Sequence, residues 1–159
     1  MPVLLWVWFA TPSLSPPDFS ESDSVSIELQ SGAALSLKVA FASGYLIRSV
    51  YGSADSALLS NETGLDRLKS AVAQLFDTPS CFQGNFCPSE MKISDAGDRL
   101  ILVTDDERVD FVVDACVIPW LNPAYPKMLS VRRKMIQLSD DWLDTQSRAA
   151  DHPTAGSGT

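Results

Sequence analysis

The chain has 159 residues, a mass of 17.3 kDa, 12 basic against 20 acidic side chains, and a formal charge of −8. That length suits one compact domain, and a 45% hydrophobic content excludes wholesale disorder, because there is enough apolar surface to offset the entropy of ordering. No apolar run approaches the roughly 20 residues of a membrane-spanning helix, and a pI of about 4.4 opposes general nucleic-acid binding, which needs cations to displace phosphate counterions.

The opening residues, Met1 to Ala10, are apolar and carry Trp6, Trp8 and Phe9. A signal peptide is disfavoured, since no Lys or Arg precedes the apolar run and no small-x-small cleavage site follows it. The segment reads instead as a docked edge strand, or as residues before the true start. Residues 11–24 hold three prolines and five serines, the composition of a linker. Ordered structure is expected from Val25. Val25, Ile27 and Leu29 alternate with polar neighbours, as do Leu35, Leu37, Val39 and Phe41, and Tyr45 to Tyr51 is rich in strand-forming residues. Short connections between these runs predict an antiparallel meander.

Leu65, Leu68, Val72, Leu75 and Phe76 share one helical face, which predicts a helix over 62–77 with Asn61 or Thr63 as its cap. A loop with Cys81 and Cys87 follows. Met91 and Ile93 suggest a short strand, Arg99 to Thr104 a clear one, and Val109, Phe111, Val113 and Ala115 a third, its opposite face carrying Asp110 and Asp114. Met128, Val131, Met135, Leu138 and Trp142 mark the buried seam of a last helix, 127–147. Early Arg132, Arg133 and Lys134 with late Asp140, Asp141 and Asp144 oppose the helix dipole, so one continuous helix and two helices broken at Ser139 are equally compatible with the sequence. The expectation is a single α+β domain over 25–147, with a mainly antiparallel sheet of five to six strands, two helices, the order βββ-α-βββ-α, and a disordered tail at 148–159.

The residue inventory removes much chemistry. The only histidine, His152, lies in a tail of small and polar residues, so Ser-His-Asp and Cys-His nucleophile systems and histidine-based zinc sites have no support. The three cysteines form no Cys-x-x-Cys pair, and reduced thiols in a cytoplasmic protein are the expectation. No glycine-rich phosphate loop is present. The most suggestive feature is acidic: eight carboxylates fall within the 25 residues from Glu90 to Asp114. Asp105, Asp106 and Glu107 are consecutive in a turn and diverge, which disfavours a hard-cation site. Carboxylates of this kind either keep a sheet edge soluble or steer a basic partner. The basic triplet at 132–134 reads as a solvated helix face.

These readings point to a non-enzymatic, acidic, protein-binding module (adaptor, inhibitor or immunity-type) that grips a basic protein through Asp105, Asp106, Glu107, Asp110 and Asp114, with Trp120 as a candidate anchor. No cofactor or metal and no catalytic residue is expected. The alternatives are a carboxylate- or metal-dependent enzyme using the same aspartates, and a secreted or envelope protein.

Overall fold

Alternation of apolar and polar residues builds the first half of the molecule. The computed structural model describes residues 17–19, 25–32, 34–76, 98–104, 108–113 and 124–151. Strands β1 (Ser26–Ser31), β2 (Leu35–Ala40), β3 (Tyr45–Val50) and β4 (Ser53–Leu58) form a meander; helix α1 (Glu62–Phe76) follows, then β5 (Arg99–Val103), β6 (Arg108–Val112) and helix α2 (Tyr125–Asp151). The six strands make one antiparallel sheet in the order β4-β3-β2-β1-β5-β6. The chain is an α+β protein, as its sequence pattern predicts.

Both helices cover one face of the sheet. Ile27, Leu29, Leu37, Val39, Leu46, Leu100, Leu102 and Phe111 point into that interface and are buried against Leu68, Val72, Leu75, Met128, Val131, Met135 and Leu138. Burial of one such side chain contributes about 1.5–3 kcal/mol, so this seam is the main source of stability. The two helices run antiparallel: Asn61 at the start of α1 bonds Asp141 far along α2. The outer sheet face is more polar. One row across it runs Asp110, Ile101, Glu28, Lys38, Ile47 and Ser56. On this face Ser26 and Ile101 are nonetheless buried.

The structure changes or resolves three expectations. The stretch Ser53–Leu58, which has no β-branched or aromatic residue, is a strand, so the described order is ββββ-α-ββ-α. Its backbone forms a full ladder with β3 through a two-residue turn at Tyr51 and Gly52, both with positive φ (48° and 83°), and an edge strand formed this way needs little core side chain. Second, α2 is a single helix through Ser139, because its apolar seam continues past that residue to the partly buried Trp142. It also extends beyond 127–147 at both ends, taking in Arg148 to Asp151. Third, contact with the core begins before Val25: Phe19 packs edge-on against Phe41, with ring centroids 4.9 Å apart. The strand expected at Met91 and Ile93, the segment 1–10 and all three cysteines lie outside the described residues.

Candidate docking edge

Of the acidic residues singled out by the sequence, Asp110 is described; Asp105, Asp106, Glu107, Asp114 and Trp120 lie outside the described residues. Alternation along β6 carries Asp110 to the outer face, opposite Ile101, while Phe111 and Val113 turn inward and are buried. Asp110 is ion-paired: Arg108 Nε donates to its Oδ1 at 3.2 Å. Glu28, on the same face, accepts from Gln30 Nε2 at 2.8 Å and Ser36 Oγ at 3.0 Å, and Lys38 stands opposite it in the ladder. The described part of this face is therefore mixed in charge. Among the described residues no group of three or more His, Cys, Asp or Glu side chains could hold a metal ion.

The opposite edge of the sheet carries a different feature. Tyr45 and Ile47 project from the outer face of β3, and Tyr45 stands directly across from Leu58 at the end of β4. All three are exposed, Leu58 at 64%. Tyr51, at the hairpin tip between these strands, is 84% exposed and holds the left-handed backbone conformation that side chains other than Gly, Asn and Asp rarely adopt. Tyr45, Ile47 and Leu58 thus sit together near the open end of the hairpin and Tyr51 apart at its tip, none of them in the core. Isolated exposed apolar residues are ordinary; a cluster of them is not.

The backbone beside this cluster is open. Leu59 N–H donates to Gly44 C=O, which fixes the phase of the β3–β4 ladder. The amides of Ser53, Asp55 and Ala57 consequently face β3, and those of Ala54, Ser56 and Leu58 face away from it. Among the described residues no strand pairs with that outward side. Asp55 is the sole charge on β4, and the strand has neither Lys nor Pro, the residues that usually blunt a free edge.

At the end of β4 the second half of α2 forms a wall. A groove of about 240 Å³ lies between them, with Ala57, Leu58, Leu59, Leu138, Trp142 and Ala149 as its apolar lining and Asn61, Asp141, Thr145 and Gln146 as its polar lining. This stretch of α2 presents the exposed Asp140, Asp141 and Asp144 against one cation, Arg148. The arrangement offers amides and carbonyls that no described strand pairs, apolar footholds, and negative charge. These are the features that strand addition uses. The sequence signal for it was present in Tyr45 to Tyr51, whose apolar residues occupy both faces of a strand.

No protein-family model, no curated protein and no solved structure matches this chain. Among the described residues no helix is long and apolar enough to cross a membrane.

Proposed function

We propose that this protein is a non-enzymatic binding module that takes an extended, basic segment of a partner protein onto the free edge of β4. The observation that carries the reading is the exposure of Tyr45, Ile47 and Leu58, with Tyr51 at the hairpin tip, along an edge that no described strand pairs. Strand addition draws affinity from main-chain hydrogen bonds and specificity from alternate side chains. Here the outward amides of Ala54, Ser56 and Leu58 supply the first, and the exposed cluster with the groove against α2 supplies the second.

The sign of the partner follows from charge. The chain carries −8 overall, to which Asp105, Asp106, Glu107 and Asp114 contribute, and Asp140, Asp141 and Asp144 stand on the helix beside the groove. A negative field of this kind speeds encounter with basic partners and repels acidic ones. Placing the contact at β4 moves it from the carboxylate strand favoured by the sequence, where Asp110 is already paired with Arg108.

The test uses a fluorescein-labelled decapeptide of alternating lysine and valine, its glutamate–valine counterpart, and fluorescence anisotropy. The basic peptide should bind saturably, more weakly as salt rises, and the acidic one should not bind. Ser56→Pro removes one outward N–H while leaving the β3 ladder intact, so it should abolish binding with the fold retained by circular dichroism. Equal binding of both peptides, or unchanged binding to a folded Ser56→Pro variant, would overturn the proposal.

A further inference from the structure

A second groove, on the solvent side of the α1–α2 seam, carries cations. Thr63, Arg67, Ser70 and Gln74 recur at intervals of four, three and four along α1, and Ser130, Lys134 and Gln137 at four and three along α2. Such spacings put each set on one helical face. Because the helices are antiparallel, the two faces meet. They line an open groove of about 420 Å³ with Thr63, Arg67, Ser70, Ser130 and Lys134 among its residues, and a smaller one of about 100 Å³ that shares Thr63, Arg67 and Lys134.

The distribution of ion pairs around this groove is informative. Two carboxylates border it: Asp66 is ion-paired with Lys69 at 3.8 Å, and Asp141 accepts from the Asn61 amide at 3.2 Å. Arg67 and Lys134 have no ion-pair partner among the described residues, whereas Lys69, Arg108 and Arg132 each have one. In a chain with 20 acidic and 12 basic side chains, two cations that line one groove and make no ion pair among the described residues run against the overall balance. Their mutual repulsion is relieved by an anion between them.

We propose that this inter-helix groove binds the phosphate group of a small phosphorylated molecule. A guanidinium matches two oxygens of a tetrahedral anion at once, while an ammonium acts as a point charge on a third. The hydroxyls of Thr63, Ser70 and Ser130 can donate to the oxygens that remain. A carboxylate ligand would leave most of these donors without a role. The larger groove is within the size range of small-molecule sites, so it has room for an organic portion beside the phosphate.

The probes are inorganic phosphate and pyrophosphate, with acetate as the control anion, titrated into the full chain at low ionic strength and followed by amide chemical shifts and calorimetry. Saturable shifts should centre on Thr63, Arg67, Ser70, Ser130 and Lys134, with pyrophosphate tighter than phosphate and acetate negligible. Arg67→Gln and Lys134→Gln should each weaken binding by about tenfold or more, as expected for loss of a charge-assisted contact. Arg133→Gln, an exposed neighbour outside the lining, should leave it unchanged. Absence of saturable shifts at these amides, acetate binding as tight as phosphate, or equal effects of the Arg133 and Lys134 substitutions would overturn the inference. Ser56→Pro should not alter phosphate binding, so this site and the β4 edge stand or fall separately.

Discussion

Gly64 on α1 packs against Leu138 of α2. A Cβ at this position would stand 2.7 Å from Leu138 Cδ2 and 2.7 Å from Asn61 Nδ2. Neither neighbour is free to yield. Leu138 is buried, and Asn61 caps α1 by accepting from Gly64 N–H at 2.8 Å while donating to Asp141. Alanine usually favours a helix over glycine, yet Gly64→Ala should destabilise the protein here by about 1–3 kcal/mol, the cost of overpacking a fitted contact. Asn61→Ala should lower stability by roughly 1 kcal/mol through loss of the cap. Denaturant midpoints measure both. Tyr51 works in the other direction. Its left-handed conformation suits Asn or Gly, so Tyr51→Asn should stabilise the fold by about 0.5–1 kcal/mol while weakening peptide binding. A stability loss in that variant would show that the tyrosine has a folding role.

Legibility in the sequence differed between elements for physical reasons. Period-two burial in β1 and β2 and the apolar face of α1 were plain, because those side chains are selected by the core they enter. The strand β4 was not, because it enters no core: only Ala57 among its residues is even half-buried, and backbone pairing alone specifies it. The tight turn at Tyr51 and Gly52 was its one available signal. The proposed docking edge was obscured for the same reason. Continuity of α2 was undecidable from charge alone, since Asp140, Asp141 and Asp144 oppose the dipole; the seam from Met128 to Trp142 outweighs that modest cost. Arg132 on α2 donates to Asp98 just before β5, and the Asp98 carbonyl in turn accepts from Val113 N–H at 2.7 Å. This contact ties helix to sheet and is partly sheltered, with Asp98 15% exposed. A double-mutant cycle with Arg132→Ala and Asp98→Ala should return a coupling of roughly 1 kcal/mol that decreases in high salt.

At the scale of the molecule, a single sheet backed on one face by two helices ends, among the described residues, at β4 on one side and β6 on the other. The β6 side has paired charges in its described part, and the β4 side has a ladder that no described strand pairs, exposed aromatics and a neighbouring acidic helix wall. Association at β4 should therefore be steered by charge and held by backbone pairing, so added salt should slow association more than it speeds dissociation. The most direct measurement is amide hydrogen exchange with and without the lysine–valine peptide. Strand addition predicts new protection at Ala54, Ser56 and Leu58 and little change at Ser53, Asp55 and Ala57, whose amides already bond β3. Protection confined to other strands, or spread evenly over both sets of β4 amides, would contradict it.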